Sequence, residues 1–178
     1  MAIRLVIDGY NYICAALGLS GSHPGGMDPT VERDALLEKL VAYKKLKSAK
    51  ITVVFDGTRS DNLYRSRGTE RGIEVAFSRS GEEADTVIKE IAREQGSGLT
   101  VVTSDRELGS YCAQHGAVIV SSSEFHDRLS QSLFVDMKGL EEEDDEMQTP
   151  SGPGGKRKGP ARKLSKKERE KRKKLKKL

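Results

Sequence analysis

The sequence predicts an α/β domain over residues 1–138, with a mostly parallel sheet covered by helices on both faces. Two observations predict it. Short apolar runs alternate with longer stretches whose apolar residues recur at helical spacing. Strands that alternate with helices along the chain imply a mostly parallel sheet covered on both faces. Turn signals fall where the runs end, and three of those ends bring an aspartate: Asp8, Asp56 and Asp105.

Each element follows from local pattern. Ile3 to Ile7 is a first buried strand, closed by Asp8-Gly9, and Tyr10 to Leu17 a first helix. Gly18 to Gly26 is a loop, broken by Pro24 and two glycines. Asp28-Pro29 supplies an N-cap and a first-turn proline for a helix reaching about Ser48, with Val31, Ala35, Leu36, Leu40, Val41 and Tyr43 near helical spacing. Ile51 to Phe55 is the second strand, stopped by Asp56-Gly57, and Thr58 to Arg71 reads as a polar, arginine-containing loop. Ile73, Val75 and Phe77 alternate in a third strand, Gly72 to Phe77, expected at the sheet edge. Glu82 to Glu94 is a helix with Ala84, Val87, Ile88 and Ile91 on one face. Leu99 to Val102 is the fourth strand, followed by Thr103-Ser104-Asp105 and a helix to about His115. Ala117 to Val120 is the fifth strand, and a last helix starts near Glu124.

Beyond this domain the composition changes. Residues 139–155 form an acidic and Pro/Gly linker that includes the block Glu141 to Glu146; residues 156–178 are a Lys/Arg run. From Gly152 onward 14 Lys/Arg stand against 2 Glu, net +12; the rest has 17 basic and 25 acidic residues, net −8. The overall +4 thus joins an acidic body to a strongly basic tail. Like-charge blocks self-repel and build no core, so the tail is expected to be disordered and to meet a polyanion. A helix over Ser165 to Leu178 on an anionic surface, or docking of the tail on Glu141 to Glu146, are further expectations.

Several function classes fall away. No apolar run approaches the roughly 20 residues of a membrane span, and the N-terminal apolar stretch is too short for a signal peptide. Cys14 and Cys112 show no CxxC spacing, which argues for buried thiols in a reducing cytoplasm. GxxxxGK[ST], GxGxxG and GxSxG are all absent, so no nucleotide cofactor is expected. A phosphoaspartate hydrolase would carry an Asp at Tyr10. His23, His115 and His126 make no metal-binding pair and read as surface or packing residues.

In parallel α/β sheets ligands bind at the carboxyl ends of the strands. Asp8, Asp56, Asp105 and the Gly81-Glu82-Glu83-Ala84-Asp85 segment all fall at that edge. Converging carboxylates repel one another unless a cation neutralises them, and hard oxygen ligands suit Mg²⁺ or Mn²⁺. Such ions promote in-line hydrolysis at phosphorus. Each acid also has a plainer reading. Asp-Gly is a common turn pair, Glu82 and Glu83 favour a helix N-terminus, and Ser104 with Glu107 fits a capping box that would leave Asp105 a first-turn acid. Ser121 with Glu124 shows the same box with no functional hint.

Asp8-Gly9-Tyr10-Asn11, Val54-Phe55-Asp56, Glu82-Glu83-Ala84-Asp85-Thr86-Val87-Ile88 and Val102-Thr103-Ser104-Asp105 occur in order. Together they resemble the motifs of the NYN domain, in its YacP-like branch of the PIN-like nuclease superfamily, over about residues 3 to 135. Gly57, where relatives often carry Ala, is one departure. The resemblance implies a PIN-like three-layer sandwich with a five-stranded sheet in order 3-2-1-4-5. It also implies metal-dependent endonucleolytic cleavage of RNA, leaving 5′-phosphate and 3′-hydroxyl ends. It carries Asp8, Asn11, Glu82, Asp85 and Asp105 as catalytic residues. Asp8, Asp85, Asp105 and Glu82 are the expected ligands of Mg²⁺ or Mn²⁺, with Asp56, Thr103 and Ser104 lining the pocket. Glu82 and Asp85 are expected one helical turn apart on one face. Nothing transfers to the acidic block or the basic tail.

An acidic site repels RNA, so positive charge is expected beside it. Arg59, Arg65, Arg67, Arg71 and Arg79 are the candidates, arginine being suited to bidentate phosphate contacts; the alternative is a solvated charged loop. Tyr10 and Tyr64 are candidates for stacking on unpaired bases, while Tyr12 reads as core. The basic tail would add salt-sensitive affinity for RNA, whether free mRNA or rRNA and mRNA on the ribosome. Two rival functions remain at this level: a catalytically weak RNA- or ribosome-binding protein, and a small-molecule phosphohydrolase, for which the tail would be useless.

Overall fold

The computed structural model describes residues 3–19, 28–57 and 63–139. The linker beyond Gly139, the basic tail and Arg59 lie outside the described residues, as do the expectations that rest on them. The elements are β1 (Ile3–Asp8), α1 (Gly9–Ala16), α2 (Pro29–Leu46), β2 (Ala49–Phe55), β3 (Ser66–Glu70), β4 (Ile73–Phe77), α3 (Ala84–Gln95), β5 (Leu99–Val102), α4 (Arg106–Gln114), β6 (Val118–Val120) and α5 (Ser122–Gly139). They build one sheet in order β3-β4-β2-β1-β5-β6. All pairings are parallel except the β3–β4 hairpin.

The alternating direction of strand side chains sorts the core into two layers. Leu5 and Ile7 of β1, with Ile51, Val53 and Phe55 of β2, pack under α1, α2 and α5 against Ile13, Leu40, Tyr43 and Phe125. Val6, Val54, Leu99 and Val101 face the other way, onto α3 and α4 through Ala84, Ile88, Leu108 and Cys112. Asp8 follows Val6 by two residues and Thr103 follows Val101 by two, so both side chains belong to the α3/α4 side. Cys14 and Cys112 are buried free thiols. Among the described residues no helix is long and apolar enough to cross a membrane.

The architecture is the expected α/β sandwich, with two corrections. The sheet has six strands, because Ser66–Glu70, expected as loop, pairs antiparallel with β4 from Ser66 opposite Phe77 to Glu70 opposite Ile73. All five of its residues are exposed, so it carries no apolar face for a sequence pattern to reveal. The strand expected at the edge is consequently interior, and the order of the other five is unchanged. Arg71 and Gly72 form the hairpin turn with positive φ (50° and 82°), and Lys44 of α2 donates to the Gly72 carbonyl.

The second correction is the start of α3, at Ala84 rather than Glu82. Gly81 is left-handed (φ 77°) and the Glu82 N–H donates to the Arg79 carbonyl, forming a turn before the helix. Buried Ser78 holds that turn: its hydroxyl donates to the Glu82 carbonyl (2.5 Å) and accepts from the Gly57 N–H (2.9 Å). Glu82 therefore does not share a helical face with Asp85.

Candidate active site

Three helices begin at the carboxyl edge of the sheet, and their first residues supply most of the site. Asp8 is the N-cap of α1, its Oδ1 facing the Asn11 N–H at 3.4 Å. Asp105 is the N-cap of α4, accepting from the Leu108 N–H at 2.8 Å. Asp85 sits in the first turn of α3, whose N-cap Glu83 makes no side-chain capping bond. The Asp8-Gly9 turn reading and the Ser104 capping box thus both give way to aspartate caps. Gly9 has a different reason to be glycine: a Cβ there would run into the Phe55 ring.

These ends meet in one cleft of about 210 Å³, lined by Asp8, Tyr10, Asn11, Asp56, Glu83, Ala84, Asp85 and Asp105. Asp8 is only 8% exposed. Its Oδ2 accepts from the Thr103 hydroxyl at 3.2 Å, and that hydroxyl accepts from the Asp105 N–H at 3.1 Å. Thr103 thereby fixes two of the acids relative to each other. Burial, and next the charge of Asp85, push the Asp8 carboxyl up to about 7; Asp105 adds to the rise and the Asn11 and Thr103 hydrogen bonds oppose it. Asp85 is raised by burial and then by Asp105. Without a cation Asp8 and Asp85 therefore favour retained protons, because ionising both would place unbalanced charge in the cleft.

The donor set fits a hard divalent cation. All candidate ligands are oxygens, and their mutual repulsion is what such an ion relieves. Among the described residues the carboxylates do not close into a ready-made cage. Mg²⁺ requires none, since it keeps several waters and takes one or two carboxylates directly.

A model of the YacP-like NYN domain matches residues 5–177. The chain belongs to the YacP-like NYN domain family. The match runs past the α/β elements into the basic segment, which the motif resemblance left outside. Two crystal structures of Rae1 (YacP) from Bacillus subtilis are similar to this chain. One has 25% identity and a TM-score of 0.61, covering 79% of this chain and 80% of that one. The other, a point variant, has 23% identity and a TM-score of 0.62, covering 82% and 86%. No curated protein matches. The NYN family is nuclease-like.

Within this NYN domain the structure brings together Asp8, Asn11, Asp56, Asp85 and Asp105. Thr103 is buried against Asp8, and Ser104 donates its N–H to Asn11 Oδ1 at 2.8 Å. Glu82 is not among the cleft-lining residues. Arg65 holds it through both carboxylate oxygens (2.5 and 2.8 Å) and Arg79 lies 4.0 Å away; Glu83 lines the cleft instead. The described arginine candidates all bind glutamates: Arg65 also takes Glu90, Arg67 takes Glu74 and Arg71 takes Glu38. Tyr10 is buried with its ring edge-on to Phe55 (5.2 Å), so it offers no free face for a base. Tyr64 is 82% exposed.

Two residues carried no sequence signal. Ser122 touches Asn11 across 111 positions, and only tertiary structure creates that contact. Arg33 belongs to none of the sequence motifs. Its guanidinium lies over the Phe77 and Phe55 rings, 5.2 and 5.8 Å from their centres, and donates to Thr30 Oγ1 at 3.2 Å.

Proposed function

We propose that this NYN protein is a cytoplasmic, divalent-metal-dependent endoribonuclease, with RNA, free or on the ribosome, as substrate. The observation that carries this reading is the delivery of Asp8, Asp85 and Asp105 from three separate elements into one cleft. A bound Mg²⁺ or Mn²⁺ would be held by these three, with Asp56 and Glu83 at its margin, and would supply water activation and charge neutralisation at phosphorus. Thr103 keeps Asp8 oriented toward the cleft. Asp8, whose carboxyl burial pushes up to about 7, would have to be ionised to hold such a cation.

Positive charge for the RNA backbone comes from Arg33 in this reading. In a parallel β1–β2 crossover the connecting helix runs back from the carboxyl edge, so the first turns of α2 stand at the same edge of the sheet as the cleft. Tyr10, which lines the cleft, contacts the same Phe55 ring that Arg33 covers. Among the described residues no carboxylate pairs with Arg33, which leaves its fork available to phosphate.

The test is cleavage of end-labelled structured and unstructured RNAs by wild type and Asp8→Asn, with Mg²⁺ or Mn²⁺ and with chelator. Asn keeps the helix cap while removing the charge. Wild type should cut only with metal, and Asp8→Asn should lose at least about a hundredfold in rate. Equal cleavage by both would remove the assigned site. Binding without cleavage would favour an RNA-binding protein. Ribosome-bound mRNA as a parallel substrate tests the ribosomal expectation.

A further inference from the structure

Asn11 lines the cleft among its carboxylates, and its carboxamide has two possible faces. An oxygen turned inward could ligate a cation; an amide nitrogen turned inward can only donate. The hydrogen bonds decide between them. Asn11 Oδ1 accepts from the Ser104 backbone N–H at 2.8 Å and from the Ser122 hydroxyl at 2.7 Å. A backbone N–H cannot accept, so the atom it meets must be the oxygen. Both acceptor sites of that oxygen are then filled. Among the described residues nothing accepts from Nδ2, the polar atom left to the cleft.

The second anchor is itself fixed. Ser122 is fully buried, and its backbone N–H donates to Ser104 Oγ at 3.1 Å. The loop after β5 and the start of α5 are thus tied together with the Asn11 oxygen between them. α1 and α5 also pack on each other through Tyr12 and Phe125, whose ring centres are 5.8 Å apart, so the two ends of the hydrogen bond belong to one packed unit.

We propose that Ser122 is a positioning residue that locks the Asn11 carboxamide with its NH₂ facing the cleft, making Asn11 a donor to a non-bridging phosphate oxygen and excluding its oxygen as a metal ligand. The lock stands on geometry alone, whereas its effect on turnover rests on the nuclease reading. With Ser122 truncated, Oδ1 keeps one partner and the carboxamide gains a competing orientation. The donor is then misplaced for part of the time, which weakens stabilisation of the reacting phosphate more than substrate binding.

A double-mutant cycle tests this on the full-length chain. Ser122→Ala should lower kcat by about tenfold to a hundredfold with KM within about twofold. In an Asn11→Ala background the same substitution should change kcat little further, since it acts through a side chain no longer present. Equal losses in both backgrounds would overturn the proposal. Ser122→Cys, close in size and a weak donor, should lose less than Ala and serves if Ala fails to fold. The Asn11 side-chain amide resonances give a readout independent of turnover: dispersed in wild type, shifted toward free-amide positions in either Ser122 variant. Unmoved resonances would refute the lock. If wild type cleaves no RNA yet those resonances move, the nuclease reading fails and the lock stands.

Discussion

At the residue scale, the acids of the cleft are structural as well as chemical. Asp8 and Asp105 cap α1 and α4, so each satisfies backbone N–H groups that would otherwise lack partners. The same geometry makes a first-turn carboxylate and a catalytic carboxylate look alike in sequence. What separates them is the cleft, where Asp85 acts on Asp8 and Asp105 on Asp85. Arg33 gives this scale its own prediction. Arg33→Gln removes the charge while leaving the α2 packing residues intact. KM for RNA should rise several-fold with kcat little changed, and the slope of log affinity against log salt should flatten by about one phosphate contact. An unchanged slope, measured by titration at several salt concentrations, would show that phosphate is gripped elsewhere.

At the element scale, the β3–β4 hairpin is secured from outside the sheet. Arg65, just before β3, binds Glu82 in the turn before α3 and Glu90 within α3. The Arg65 hydrogen bonds are the main cause holding the Glu82 carboxyl down at about 2, well below the 4.5 of an unperturbed glutamate. A depressed folded value means the contribution is complete above the ordinary glutamate range and is lost as pH falls from about 4.5 toward 2. Hydrogen exchange of β3 and β4 amides should therefore accelerate selectively, relative to β1 and β5, over that window. Arg65→Met should show the loosened hairpin already at neutral pH. Equal protection of both variants across the range would show that Arg65 does not anchor the hairpin.

Legibility in the sequence also divides by element. β1, β2 and β5 are interior strands whose residues are mostly buried and apolar, so their hydrophobic runs disclose them, with Asp8 and Asp105 following the runs of β1 and β5. β3 was hidden because its residues are exposed and its partner is a strand rather than a core. The start of α3 was misplaced by two residues because Gly81 and the Ser78 clamp, which bridges from Gly57, are tertiary facts. The motif resemblance carries Glu82, whereas the turn before the helix leaves Glu83 lining the cleft. The arginines are expected at phosphate or in a solvated charged loop; instead Arg65 and Arg71 reach glutamates 17 to 33 positions away in chain, and no local pattern announces such pairs.

At the scale of the whole molecule, cleft and fold share one free-energy balance. Burying Asp8 and half-burying Asp85 beside it opposes folding until a cation neutralises them, so ligand binding and folding are coupled. Mg²⁺ or Mn²⁺ at about a hundred times its dissociation constant should stabilise the chain by about 2.7 kcal/mol. Thermal or urea unfolding with and without metal would measure it. Asp8→Asn and Asp105→Asn should each show a smaller shift. No shift in wild type at millimolar metal would remove the cation from the proposal without any assay of cleavage.

β3 also bears on self-association. It is the outermost strand on its side of the sheet, and an outermost strand invites another chain to continue the ladder. Here it is five residues long, has a glycine at its centre and carries Arg67, paired to Glu74 of β4, and Glu70. Shortness and charge are the features that discourage edge-to-edge joining. The short, charged β3 thus gives the sheet an edge that discourages another chain from continuing the ladder, a reason for its polar sequence that is independent of catalysis.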